Sequence, residues 1–192
     1  VAEGGTQLGT KSFTDVYYDT AGCSLTRRDM WLRCRDGAWE LKLPVEEDAR
    51  RSGGERTVFT EVEGEEAVAK ALQSLLPVAE APQTPLAELL ASAQVSPFAE
   101  FSTSRSKWTM GSASIDADVA SFGHAVMEIE VMCSSQAEVA AAEAEIARVA
   151  DLLGAQPLSK GSGGKLETYI RRHCPSVLEQ LVEAGVLRAS ES

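Results

Sequence analysis

The sequence predicts an α+β fold built on an antiparallel sheet. Three observations carry that prediction. Strand-like segments follow one another through short turns. The hydrophobic period switches from two to 3.6 in only a few separate stretches. Strands and helices come in blocks, strands then two helices then strands then helices, and do not alternate as βαβ units do.

Ser12–Tyr18 is rich in aromatic and β-branched residues and is closed by Asp19 and Gly22, which predicts a strand. Trp31–Arg35 and Ala38–Leu43 flank Asp36-Gly37, a strong signal for a tight hairpin. Pro44 stops the second strand, and the polar stretch through Gly53-Gly54 reads as a loop. Arg56–Glu63 alternates again as a fourth strand. From Gly64 to Leu76 the period becomes helical, with Val68, Leu72, Leu75 and Leu76 on one side and Pro77 as the stop. Thr84-Pro85 reads as an N-cap with Pro at the first helical position, opening a helix to Ala93. Pro97–Met110, Ala113–Val119 and His124–Cys133 follow as strands. Ser135 with Glu138 forms a capping box for a helix whose apolar face is Val139, Ile146, Val149 and Leu153, ended by Gly154. Pro157–Gly164 is a loop, and Leu166–Cys174 and Ser176–Ala184 read as helices separated by Pro175.

Charge sits on one face of five strands. Arg33 and Arg35 are two apart, as are Glu40 and Lys42, Glu61 and Glu63, Asp116 and Asp118, and Glu128 and Glu130. Residues i and i+2 of a strand share a face about 6.5–7 Å apart, so each pair projects from one side while Leu32, Leu41, Ile115 and Ile129 project from the other. A solvated sheet face is the plain explanation for any one pair. Unmixed acidic and unmixed basic pairs on different strands fit it poorly, because neighbouring like charges repel. A barrel or half-barrel with a charged interior and helices over its apolar outside accommodates the whole set. Its cations would grip a polyanion and its carboxylates a divalent cation.

The 192 residues fit one domain, and 44% hydrophobic with 24% charged is an ordinary globular composition. With 18 Lys plus Arg against 29 Asp plus Glu, the charge of −11 argues against a duplex nucleic-acid binder. Neither a membrane-length apolar run nor a secretory signal is evident, so the chain is expected to be soluble and cytoplasmic, and a monomer. Cys23, Cys34, Cys133 and Cys174 lie far apart and read as reduced thiols, and with His124 and His173 they match no zinc spacing. Chemistry is therefore sought among carboxylates, Arg and Lys. Phosphoryl transfer suits that inventory: Arg offers a planar fork, Lys a point charge, and carboxylates the hard oxygens Mg²⁺ prefers. The run from Lys160 to Lys165 is Gly-rich but fails the Walker pattern, since Leu166 stands where Ser or Thr is required. Lys165 remains a candidate phosphate ligand carried by that loop.

Tyr17-Tyr18-Asp19-Thr20, Trp31-Leu32-Arg33-Cys34-Arg35, Trp39-Glu40-Leu41-Lys42, Ser104-Arg105-Ser106, Asp116, Phe122-Gly123, the pair Glu128 and Glu130, and Lys165 recur in a telling order and spacing. The set resembles the CYTH, or triphosphate tunnel metalloenzyme, superfamily, and within it the vertebrate thiamine triphosphatases. The resemblance runs from about Gly4 to Tyr169; each motif is weak alone, and the ordered set is specific. It implies an eight-stranded antiparallel β-barrel, a tunnel with flanking helices, and Mg²⁺-dependent hydrolysis of thiamine triphosphate to the diphosphate. The substrate is then a small-molecule triphosphate, with neither nucleic acid nor membrane as partner. By the same resemblance Arg33, Arg35, Lys42, Arg105 and Lys165 bind the triphosphate. Asp116, Glu128, Glu130 and, less directly, Glu61 hold Mg²⁺. Trp31 packs on the thiamine, and Tyr17 accompanies the catalytic Lys42. Read from the residues alone, Trp31 and Tyr17 are packing residues first, Glu40 is a structural ion-pair partner of Lys42 on the same face, and Asp118 is hydrogen-bonded scaffold. The family's ExExK strand is expected upstream of Val1, so residues 1–192 are read as one CYTH domain without it; were the strand truly missing from the protein, weak metal binding, poor activity and an exposed sheet edge would follow.

Overall fold

The computed structural model describes residues 4–45, 59–77, 84–158 and 163–189. Among them are seven strands: β1 (Thr6–Asp19), β2 (Trp31–Arg35), β3 (Ala38–Pro44), β4 (Phe59–Glu63), β5 (Ser96–Met110), β6 (Ala113–Ala120) and β7 (His124–Glu130). Five α-helices accompany them: α1 (Glu65–Leu75), α2 (Leu86–Ser92), α3 (Val139–Leu153), α4 (Lys165–His173) and α5 (Pro175–Glu183). The strands are hydrogen-bonded in the order β4-β3-β2-β1-β5-β6-β7. The pairs β1–β2, β2–β3, β3–β4, β5–β6 and β6–β7 are antiparallel, as the short connections predict. The fold is α+β on an antiparallel sheet. No helix among the described residues is long and apolar enough to cross a membrane.

The chain divides into two compact units, Thr14–Phe101 with Tyr169–Ser192, and Val1–Phe13 with Ser102–Thr168. In the first, Leu32 of β2 and Leu41 of β3 stand opposite each other and are buried under Val68 and Leu72 of α1 and Leu86, Leu89 and Leu90 of α2. The 2-residue period of the strands and the 3.6-residue period of α1 meet in this core. Glu65 and Glu66 occupy the first turn of α1, where the helix dipole favours negative charge. The hairpin between β2 and β3 turns on Asp36 (φ 48°) and Gly37 (φ 89°), both in the left-handed region that a two-residue I′ turn demands. In the second unit Val149 of α3 packs on Met110, Ala113 and Ile115, with Trp108, Ile129, Val131 and Leu153 around them. Gly154 ends α3 with φ 63°.

Several boundaries differ from expectation. β1 begins at Thr6, six residues before the aromatic run that announces it, because a polar segment with Gly9 continues the strand. β7 ends at Glu130 and not Cys133, since its ladder closes at Ser114↔Glu130 where β6 turns back to β5. Pro85 is itself the cap residue of α2, where Thr84 was expected, and the helix starts at Leu86. The capping box of α3 does not form: Glu138 Oε2 accepts from the Ser134 N–H, a 3₁₀ turn spans Gln136–Glu138, and the helix starts at Val139. The expected loop through Gly53-Gly54, the start of the fourth strand at Arg56, and Lys160–Ser162 lie outside the described residues. All four cysteines are free.

Candidate functional site

The strand register puts the charged pairs on common faces. In the first unit Asp15, Tyr17 and Asp19 of β1 alternate on one side. Asp15 stands opposite Arg35 and Tyr17 opposite Arg33. Across the next pair Arg33 meets Glu40 and Trp31 meets Lys42. β4 then sets Glu61 against Lys42 and Glu63 against Glu40. Leu32, Leu41 and Val62 point the other way into the core.

This face is an interlocked ion-pair network. Asp15, with no solvent exposure, accepts from Arg35 Nε at 2.7 Å and Nη2 at 3.0 Å. Arg33 Nε lies 3.6 Å from the same Asp15 oxygen, while Arg33 Nη2 donates to Glu40 Oε2 at 2.6 Å. Lys42 Nζ donates to Glu61 Oε1 at 2.6 Å and lies 3.9 Å from Glu40. Burial works against the Arg33 charge, but Tyr17, Glu40 and Asp15 together outweigh it and hold the guanidinium above its usual range. Tyr17 is packed against Phe98 and Phe101, and that burial pushes its phenol up to about 12 despite the opposing pull of Arg33. It is thus a neutral phenol at physiological pH. Tyr17 stands by Arg33 and Lys42 by Trp31, so the register itself does not pair Tyr17 with Lys42. Trp31, half-buried, donates Nε1–H to Asp29 at 2.8 Å.

The second unit repeats the pattern. Arg105 of β5 stands opposite Asp118 of β6, and Lys107 opposite Asp116, which faces Glu128 of β7. Arg105 donates Nε and Nη2 to the two Asp118 oxygens at 2.7 and 2.6 Å, Nη1 to Asp116, and Nη2 to Glu128 at 3.2 Å. Phe13 lies beneath the guanidinium, 5.2 Å from its ring centre. Lys165, the first residue of α4, reaches Asp118 and also Glu128 at 2.9 Å. Burial opposes ionisation of Asp118, yet Arg105 and Lys165 hold its carboxyl below the usual aspartate range. Burial likewise opposes the Arg105 charge, which Asp118, Asp116 and Glu128 hold above its usual value.

Arg105, Asp116, Asp118 and Lys165 are at most 8% exposed, which removes the solvated-face explanation for this unit. Asp116 Oδ1 is buried and, among the described residues, has no hydrogen-bond partner; Lys107 Nζ lies 3.7 Å away. The orphaned Asp116 oxygen, opposite Glu128 on the next strand, is a hard donor of the kind a divalent cation takes, but among the described residues Asp116, Glu128 and Glu130 do not draw their oxygens into one cluster. Glu130 follows on the same face, opposite Ser114. Glu61 belongs to the other unit, where oxygens of Glu40, Glu61 and Glu63 lie within 4.8 Å of one another. Sequence reasoning passed over Asp15, although its spacing of two from Tyr17 places it on the charged face. Asp19 is buried too, but it caps backbone N–H groups of Thr20, Leu25 and Thr26 and is structural.

Comparison with known proteins identifies the family. The CYTH domain model matches residues 3–163. The thiamine-triphosphatases of Homo sapiens and Macaca fascicularis are 32% and 33% identical over 195 and 192 residues, spanning 96% and 95% of this chain and 83% and 82% of theirs. Two solved Pyrococcus horikoshii proteins share the fold: one with TM-score 0.60 at 18% identity, covering 88% of this chain and 89% of its own. The other has TM-score 0.53 at 17% identity, with 88% and 85% covered. With buried cations alternating among carboxylates on an antiparallel sheet and a domain match over most of its length, the chain belongs to the CYTH family.

Proposed function

We propose that the protein hydrolyses thiamine triphosphate to thiamine diphosphate and phosphate, in a magnesium-dependent reaction in the cytoplasm. The observation that carries this reading is the charged face of each unit: Arg33, Arg35 and Lys42 in the one, and Arg105 and Lys165 in the other, stand buried or half-buried among carboxylates, in a chain about a third identical to thiamine-triphosphatases. Guanidinium forks take phosphate oxygens in pairs and lysines add point charges, which offsets the charge of the triphosphate. Asp116, Glu128 and Glu130 would hold the metal; Glu61, in the other unit, is a separate acidic candidate beside Glu40 and Glu63. When bound, the metal supplies charge neutralisation at the phosphate oxygens. Water attacks the terminal phosphorus in line and the bond to the bridging oxygen breaks, the electron pair leaving with thiamine diphosphate. Lys42 is assigned to proton movement between the water and the leaving oxygen, and Tyr17, the second catalytic candidate, is a neutral phenol whose oxygen accepts from Arg33 on the same face.

Trp31 beside Lys42 is the specificity element, offering an aromatic face to the thiamine. Trp31→Ala is expected to raise KM for thiamine triphosphate at least several-fold and to spare inorganic triphosphate. Equal effects on both substrates would favour a second CYTH activity, such as an inorganic triphosphatase, RNA triphosphatase or adenylate cyclase, over this one. Tight triphosphate binding with no phosphate release would favour a non-catalytic binding module.

A further inference from the structure

Two guanidiniums on alternate positions of β2 repel one another, and long arginine side chains lose several rotatable bonds when fixed on a ligand. Their orientation before binding therefore has to come from a partner. Asp15 is the residue placed to provide it. It has no solvent exposure, its carboxylate takes Arg35 through two parallel N–H bonds at 2.7 and 3.0 Å, and the oxygen that accepts Arg35 Nε lies 3.6 Å from Arg33 Nε. Arg33 is held from its other end by Glu40 at 2.6 Å. A buried carboxylate is costly unless paired, and an Arg–carboxylate fork fixes the plane as well as the position of the guanidinium. From this geometry we infer that Asp15 is a positioning residue for polyphosphate binding, pre-orienting the Arg33–Arg35 pair through a bidentate clamp on Arg35. The inference rests on the functional reading above, and gives the two arginines a shared anchor below the charged face. Asp15 itself touches no substrate.

The test is a double-mutant cycle read on inorganic triphosphate by calorimetry in magnesium-free buffer, using the whole chain, with circular dichroism and a thermal melt on every variant. Asp15→Asn keeps the shape and removes the charge. It is expected to weaken binding on the order of tenfold in the wild-type background and less than twofold when Arg35→Ala is already present, because the clamp then has nothing to hold. Equal losses in both backgrounds, or unchanged affinity in folded Asp15→Asn, overturn the inference. Should Asp15→Asn fail to fold, Arg35→Lys carries the test: it leaves Asp15 a charge partner but removes the fork, so a comparable loss is expected and wild-type affinity contradicts the clamp. Thiamine triphosphate turnover is measured on the wild type in parallel. Coupled losses without that turnover sink the thiamine assignment and leave the clamp; turnover with uncoupled losses does the reverse.

Discussion

Tyr17 shows how burial sets the chemistry of a single side chain. With its phenol pushed up to about 12 by burial, it binds its proton more tightly when folded than when unfolded. The stability it contributes is fully present below the ordinary tyrosine value near 10 and is lost as the pH rises from there through about 12. Tyr17→Phe is expected to lose less stability than wild type across that alkaline window, as checked by denaturant melts at stepped pH; parallel curves would contradict the assignment. Lys42 offers a kinetic counterpart. Its ion-pair partners are Glu61 at 2.6 Å and Glu40 at 3.9 Å, and Glu61 is 40% exposed, so the pair is worth at most about 1 kcal/mol of stability. Lys42→Ala should therefore fold normally while losing turnover by about two or more orders of magnitude, as expected of a lost proton-transfer group. Unchanged turnover and an unchanged pH–rate profile would remove Lys42 from the mechanism.

At the scale of elements, hairpin chemistry and the two apolar faces decide stability. Gly37 at φ 89° has open space around the position a Cβ would occupy, so Gly37→Ala is penalised by backbone strain alone. The expected cost is about 1–2 kcal/mol, read as a lowered denaturation midpoint at constant slope. Leu72 of α1, with no exposure, packs on the core of the first unit, and Leu72→Ala should cost about 2–5 kcal/mol. These elements were legible in the sequence because each carries a local signal: Asp36-Gly37 for the turn, Val68 and Leu72 for the helix period, alternation for β2, β3, β6 and β7. The polar half of β1 was not, because its residues 6–11 are exposed and lack the alternation that a buried face imposes. The apolar run past Glu130 misled in the opposite sense, since strand pairing ends where the partner strand turns and not where hydrophobicity ends.

Over the whole chain, pairs of like charge on alternate strand positions become mixed networks once the register is known. Arg33 and Arg35 share Asp15, and Arg105 and Lys165 share Asp118, so a buried aspartate accompanies each set of cations. Spacing alone could place the pairs on a face but could not say which strand lies beside which. Asp15 was therefore missed, and Glu40, read as a partner of Lys42, lies 3.9 Å from it and pairs more closely with Arg33 at 2.6 Å. The family was legible from ordered motifs, because residues that touch a charged ligand are constrained in type and sequence position together. The direct measurement is phosphate release from thiamine triphosphate, inorganic triphosphate and ATP, each with magnesium and with chelator. A thiamine-triphosphate phosphohydrolase releases phosphate from thiamine triphosphate in strong preference to the other two, and only with magnesium. Equal turnover of all three, or turnover of none, would contradict that function.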